Sequence, residues 1–307
     1  MINFEGLLTN DPCTLDQLPN QPMMHFPESE LILNRDGSIY HLNLNPDDIA
    51  DTIITVGDPG RVHKVTQYFS DISFEMNKRE FITQTGTYNN KRITVMSSGM
   101  GTDNVEILLT ELDALANIDL KKRVQREKHR RLRILRVGTS GSLQADIPVD
   151  SFVASATAVG LDTLMCYYEL PQDASEQQRA AAIQAKLNLP YTPYCASASA
   201  EMLRQFGHDM IEGNTITCPG FYAPQGRRLR LPLRIPNLIK EMNYFHEGDY
   251  WLTNFEMETA GYYAMCRMLG HDVLSLNAIV ANRITHQFSK DPDKTVDTLI
   301  KTVLDRI

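Results

Sequence analysis

From Asp51 onward the hydrophobic pattern switches repeatedly between two periods. Short β-branched runs read as buried strands: TIITVG from Thr52, RITVMS from Arg92, RILRVG from Arg133 and SFVASATAVG from Ser151. Between the second and third lies NVEILLTELDALANI, where Leu108, Leu112 and Leu115 share one face of a helix. A helix also opens at about Arg61, after the turn GDPGRV. Further helical patterns fall at ASEQQRAAAIQAKL, at SAEMLRQFG and from about Glu258 to Leu269, with NTITC as a strand before the last of them. VLSLNAIVANR reads as a strand, and DKTVDTLIKTVLDRI closes the chain as an amphipathic helix. This alternation predicts an α/β fold with a mostly parallel or mixed sheet. Residues 1–38 hold several prolines and no sustained period, which fits an arm lying on the domain or a partly disordered tail.

Length and composition narrow the class. The 307 residues suffice for one large or two medium domains, and no linker divides 39–307, so a single domain is expected. Hydrophobic residues at 42% and charged residues at 22% are ordinary for a soluble globular chain. The net charge of −8 offers no global reason to expect nucleic acid as a partner. The cysteines (Cys13, Cys166, Cys195, Cys218, Cys266) form no CxxC pair, so neither a zinc site nor a disulfide framework is indicated. Reduced thiols, no basic-plus-apolar leader and no bilayer-length apolar run point to a cytoplasmic protein without membrane contact. The basic run from Lys121 to Arg136 fits a solvated helix or loop, an oligomer contact or a nucleic-acid patch; overall acidity argues against the last.

Candidate chemistry gathers at strand ends, where open α/β sheets bind ligands. GDPGR, SSGMGTDN and RVGTSGS read as glycine-rich turns that let backbone N–H groups approach an anion. Arg61 and Arg136 flank two of them and Thr139 adds a hydroxyl, together suggesting a phosphate site. It is not a Walker loop, since GxxxxGK[ST] is missing. Each turn alone is equally a plain turn and helix start. In NFEMETA, Glu256 and Glu258 are two apart and point to one side of an extended chain. A carboxylate there suits a ribose diol, or the pair serves a helix N-terminus through its dipole.

Taken together, GDPGRV, KREF, RVGTSG, FYxxQxR, NFEMET and VANR resemble, in the same order, the nucleoside phosphorylases of the uridine and purine type, most closely the uridine branch. The similarity runs from about His41 to the C-terminus. It implies a three-layer α/β/α domain with a central mixed sheet, and phosphorolysis of uridine to uracil and ribose 1-phosphate. Gly57, Arg61, Arg136 and Thr139 resemble the phosphate-binding elements, and Arg79 resembles an arginine that reaches a neighbouring subunit's phosphate. His41 resembles the histidine a neighbour lends to the ribose 5'-hydroxyl. Glu256, Met257 and Glu258 match the ribose segment, with Glu258 on the diol. Phe221 would pack on the base or ribose, Gln225 and Arg227 would read the uracil edge, and Arg283 would sit behind the base. Arg136, Gln225, Arg227 and Glu258 are the expected catalytic residues. The shared residues imply a homodimer unit, usually built into a hexamer in the pyrimidine branch. No cofactor or metal is expected beyond substrate phosphate, save a monovalent cation that some relatives hold at the interface, near Glu80 here. Ala223-Pro224 and Gly226 depart from the family's usual Pro-Gly and larger residue, which puts base preference in question. Phosphorylases or nucleosidases for deoxyuridine, thymidine or inosine, and a non-catalytic nucleoside-binding relative, are the alternatives.

Overall fold

The structure, a computed structural model, describes residues 25–307. The first part of the expected arm, residues 1–24, lies outside the described residues, as does Cys13. The first half of the fold runs β1 (Thr52–Val56), α1 (Gly60–Thr66), β2 (Asp71–Lys78), β3 (Phe81–Tyr88), β4 (Lys91–Ser97), α2 (Thr102–Asn117), β5 (Ile118–Asp119), β6 (Val124–Gln125), β7 (Arg133–Ser142) and β8 (Phe152–Gly160). The second half runs α3 (Ala174–Leu187), β9 (Tyr194–Ser197), α4 (Ala200–Phe206), β10 (Ile211–Thr217), α5 (Leu238–Asn243), β11 (His246–Glu247), β12 (Tyr250–Trp251), β13 (Asn254–Glu256), α6 (Thr259–Leu269), β14 (Asp272–Asn282), β15 (Gln287–Phe288) and α7 (Pro292–Arg306).

The sheet is mixed, as the alternation predicts. The β-branched strand β1 pairs in parallel with both β4 and β7, so Ile54 lies between Val95 and Leu135, all buried. Strands buried on both faces read as continuous apolar runs, which is why these were legible. Helices α2 and α6 cover one face through Leu108, Leu112, Leu115, Tyr262 and Tyr263. On the other, Val62 of α1, Phe206 of α4 and Leu299 and Val303 of α7 share a second core. Ile183 and Leu187 of α3 and Leu238 and Met242 of α5 anchor a third.

The long strand β14 decides the sheet's shape. It pairs in parallel with β7 along its length and antiparallel with β8. With β8–β10, β10–β13 and β13–β7 also paired, the strands close a circuit. The same pairing corrects one expectation. RVGTSG is not a strand followed by a glycine turn: β7 runs through Ser142, because β14 and β13 supply partners beyond the point where β1 stops.

Two strands that the apolar runs did not announce, β2 and β3, extend the sheet beyond β4 in antiparallel fashion. The signal of β2 is the alternation Ile72, Phe74, Met76, weakened by charged neighbours and exposure, and β3 is buried mainly through threonines, Gln84 and Gly86. The basic run begins with the β5–β6 hairpin and continues as a largely exposed loop before β7, as the solvated-loop reading expects, and three of its arginines also brace neighbouring segments. Arg123 donates to the carbonyl of Leu31 at 2.6 Å, Arg130 pairs with Asp51 at 2.7 Å, and Arg131 pairs with Asp272 at 2.6 Å. Phe26 N–H bonds to the Arg123 carbonyl at 2.8 Å, so the described part of the arm docks on this hairpin.

Candidate active site

At the C-terminal ends of β1 and β7 the chain encloses a cavity of about 290 Å³. Three groups of residues expected from the sequence line it: Gly57, Arg61, Arg136 and Thr139; then Glu256, Met257 and Glu258; then Phe221, Gln225 and Arg227. Phe255, Met100 and Phe288 complete the wall and rim and were not foreseen. Phe288 comes from the short antiparallel return β15, whose two residues carry no periodicity to read. A larger cleft, about 610 Å³, opens beside α3 and the β11–β12 hairpin. It holds Arg179 among several carboxylates but lacks the convergence of arginines, buried glutamates and aromatic rings seen in the smaller one.

The centre of the site is a buried charge cluster. Arg136, fourth residue of β7, points its guanidinium between the two glutamates: Nη2 bonds Glu258 Oε2 and lies 3.2 Å from Glu256 Oε2, while Nη1 donates to Asn277 Oδ1 at 3.2 Å. Burial opposes the charge on Arg136, but Glu258 and Glu256 together hold its pKa above the ordinary value. Nε of Arg136 is buried and has no protein acceptor.

The two glutamates do not do the same work. Glu256 ends β13, and its oxygens accept from Thr217 Oγ1 at 2.7 Å and from the N–H groups of Glu258 and Thr259, each at 3.0 Å by Oε2. It therefore closes the N-terminus of α6. Glu258 has left the extended conformation (φ −138, ψ −33) as the N-cap residue, so of the two readings of the pair the helix start near Glu258 holds and the single extended run does not. It reaches Arg136 with Oε2 and accepts from Gly101 N–H at 3.0 Å with Oε1. Gly101 has φ 93, which a side chain would strain. Burial and then the neighbouring Glu258 push Glu256 up to about 7, against the pull of Arg136 and of its hydrogen-bond donors.

Gly138 explains another part of the glycine motif. A Cβ there would lie 1.9 Å from Nη1 of Arg136. The glycine makes room for a buried guanidinium, not for a ligand. Gly138→Ala is expected to displace Arg136 from the glutamates and to lower the thermal unfolding midpoint, with the secondary structure intact. Thermal unfolding and far-UV dichroism of the variant check both parts.

At the other end Arg227 stacks on Phe221, with Cζ 3.8 Å from the ring centroid, and its Nη1 donates to the Phe221 carbonyl at 2.7 Å and to Gln225 Oε1. Arg283 does not line the cavity. It stands behind this loop, donating to the Gln225 carbonyl at 2.9 Å. Gly226 has φ 65, and Ile239 Cγ1 would be 2.7 Å from a Cβ, so this departure in the loop is a packing requirement. Burial first, then Arg283, lowers Arg227 to about 10. Burial and then Arg136 lower Arg61. Crowded, desolvated cations at both ends make the cavity receptive to anionic charge.

His41 and Arg79 are not brought to this cavity. Arg79 lies over the ring of Tyr40 at 6.0 Å, and Tyr40 packs edge-on against His41 at 4.8 Å, so the two sit together outside the lining of the cavity. Glu80 follows Arg79 at the β2–β3 turn, beside Gly99. Among the described residues, Asp113, His129 and His271 have the spacing of a metal site. Leu132 N–H donates to Nδ1 of His271 at 3.3 Å, which leaves the ring proton on Nε2, facing Asp113 Oδ1 at 3.2 Å. That tautomer opposes coordination through Nε2.

A closed mixed sheet carrying an arginine–diglutamate cluster at one end of a cavity and an aromatic–amide–arginine group at the other defines an α/β protein built for a ligand with an anionic part and a planar part. Residues 51–306 match the family model of the Phosphorylase superfamily, and the chain belongs to that family. Over 275 residues it is 28% identical to a uridine phosphorylase of Thermococcus kodakarensis, covering 88% of this chain and 86% of that one. It is 24% identical to a DeoD-type purine nucleoside phosphorylase of Bacillus thuringiensis over 86% of this chain and 97% of that one. Among solved structures, a Trypanosoma brucei nucleoside phosphorylase described as showing uridine phosphorylase activity superposes with a TM-score of 0.81 at 28% identity, covering 90% and 99% of the two chains. A Toxoplasma gondii purine nucleoside phosphorylase, at 18% identity and a TM-score of 0.66 over 90% and 97%, shares the fold.

Proposed function

We propose that the protein catalyses reversible phosphorolysis of uridine, giving uracil and ribose 1-phosphate. The observation that carries this reading is the pairing of Gln225 with Arg227 over Phe221, in the same cavity as Arg61 and Arg136. An amide and a guanidinium side by side match the donor and acceptor edge of a pyrimidine base. The uridine phosphorylase relatives support the base, and the superfamily supports phosphate as the second substrate.

In this reading phosphate sits by Gly57, Arg61, Arg136 and Thr139. It is the nucleophile, and its charge also stabilises the ribosyl cation that develops as the glycosidic bond breaks. The C1'–N1 bond breaks toward uracil, a C1'–O bond forms to phosphate, and the electron pair leaves on the base. Glu258 holds the 2'- and 3'-hydroxyls and Met257 lies under the sugar, fixing it for attack. Arg136 then has two calls on it. Phosphate draws its guanidinium from Glu258, and Glu258 turns to the diol, so each substrate prepares the site for the other. Gln225 and Arg227 stabilise the negative charge on the leaving uracil, and Arg283 braces their loop. The chemistry needs no cofactor. A second copy of the chain supplies His41 and Arg79, making the working unit a homodimer, and the protein acts in pyrimidine salvage in the cytoplasm.

The test is uridine consumption by the purified protein with and without phosphate, with products identified. Uracil and ribose 1-phosphate formed only with phosphate are the expected result. Uracil release without phosphate would make the protein a hydrolase. Turnover of inosine or thymidine in preference to uridine would overturn the base assignment.

A further inference from the structure

The loop before β1 is held more tightly than a surface loop requires. The Asn34 amide donates to Ser38 Oγ at 3.0 Å, to the Ile39 carbonyl at 2.8 Å and to Asn43 Oδ1 at 3.1 Å. Ile39 N–H meets the Leu44 carbonyl at 2.9 Å, closing a tight turn around Tyr40, His41 and Leu42. The turn is pinned to the body of the protein by one side chain, Glu111 of α2. Its carboxylate accepts from His41 N–H at 3.0 Å, from Leu42 N–H at 2.9 Å and from the His41 ring, with Nδ1 at 2.7 Å from Oε1.

A carboxylate accepting backbone donors on both oxygens offers the ring only an acceptor, so Nδ1 carries the proton and Nε2 keeps its lone pair. The His41 side chain is 29% exposed and Glu111 only 12%. The small recess they line, about 180 Å³ with Tyr40, Glu106 and Thr110, shares no residue with the substrate cavity of the same chain. Around it Tyr40 and Ile32 are exposed apolar groups. The ring is thus fixed and oriented, and it lines a recess separate from the cavity of its own chain.

We infer that Glu111 is a positioning residue that locks His41 in the Nδ1–H tautomer, so that Nε2 of one protomer accepts a hydrogen bond from the 5'-hydroxyl of the nucleoside in its partner's cavity. This rests on the proposed function for the identity of the ligand; the tautomer rests on geometry alone. Glu111→Gln reverses the arrangement. Its single oxygen stays with the backbone N–H groups, and its NH2 turns to Nδ1, moving the ring proton to Nε2.

Two readouts test this. In protein with ¹⁵N-labelled histidine, the His41 ring, assigned by comparison with His41→Ala, is expected to show the Nδ1–H tautomer in the wild type and the Nε2–H tautomer in Glu111→Gln. In the second, kcat/KM for uridine is compared with that for 5'-deoxy-5'-fluorouridine, whose fluorine cannot donate. The wild type is expected to favour the hydroxyl by about tenfold, the scale of one hydrogen bond, and Glu111→Gln to bring the ratio toward unity, mostly through KM. His41→Ala removes the preference, and adding Glu111→Gln to it changes nothing further. A wild-type Nε2–H tautomer overturns the proposal without any variant having to fold. So does a ratio untouched by Glu111→Gln. Absence of uridine turnover by the wild type overturns the function and the 5'-hydroxyl as recipient, while the tautomer remains separately measured.

Discussion

Replacing Arg136 by methionine is expected to abolish nearly all activity and to destabilise the protein by about 3–5 kcal/mol, the scale of breaking a buried ion pair from one side. Glu256 and Glu258 are both buried, and Arg136 lies between them. Methionine fills much of the volume and supplies no charge, so two carboxylates face each other with only neutral donors. The loss is expected to depend on pH. Glu256 is already raised in the folded protein, from an ordinary 4.5 to about 7. A raised group contributes stability below its unfolded pKa and loses it as pH rises through the folded one. Removing Arg136 takes away the largest influence that lowers it and extends that window upward. The variant should therefore be most impaired near about pH 8, and should recover part of its stability near about pH 5 as Glu256 takes up its proton. Thermal unfolding of wild type and variant at both pH values measures this; an equal loss at each would show that the cluster is not coupled as described. Phosphate affinity should be lost at either pH.

The second large effect is expected at Arg227. Its replacement by alanine should lower kcat/KM for uridine by about a hundred- to a thousandfold, roughly 3 kcal/mol, as for other preorganised donors facing a developing anion. Stability should change little, because Arg227 is anchored to a surface loop and stacks on Phe221, an exposed ring. Lysine should restore only part of the activity, since an ammonium cannot bond Gln225, the Phe221 carbonyl and the base in one plane. The defect should be smaller with 5-fluorouridine, whose more acidic base needs less help to leave. Equal loss on both substrates would mean that Arg227 binds the base without stabilising its departure.

Legibility differed by kind of feature. Strands β1, β4, β7 and β8 and helices α2, α6 and α7 were readable because their periods are local properties of the chain, and both faces or one clean stripe are buried. Strand β2 alternates, but charges interrupt it and it is largely exposed, whereas β3 is mostly buried through Thr83, Gln84, Thr85 and Gly86, polar or small residues that make no apolar run. At the site, the motifs named most residues of the cavity and the resemblance gave them roles, but not the contacts that hold them. The resemblance put Glu258 on the diol and left Glu256 without a task of its own; the start of α6, with its free N–H groups beside Thr217, makes Glu256 a helix closure and leaves Glu258 facing Arg136.

What the sequence by itself determined is the class of fold, the identity of the arginines, glutamates and loop residues that line the cavity, and the family the chain belongs to. What only the tertiary structure decided is which groups meet across long separations. The closure of β14 on β7 and β8 carries β7 past its expected end, and the fit of Arg136 over Gly138 makes that glycine necessary. Arg123, Arg130 and Arg131 turn a suspected surface charge into bracing for the arm and the strand ends. Glu111 finds His41 across 70 residues. Periodicity reports the environment of a residue's own element, whereas charge pairing depends on how distant elements are packed. The direction of a buried side chain is therefore settled only when the sheet has closed around it.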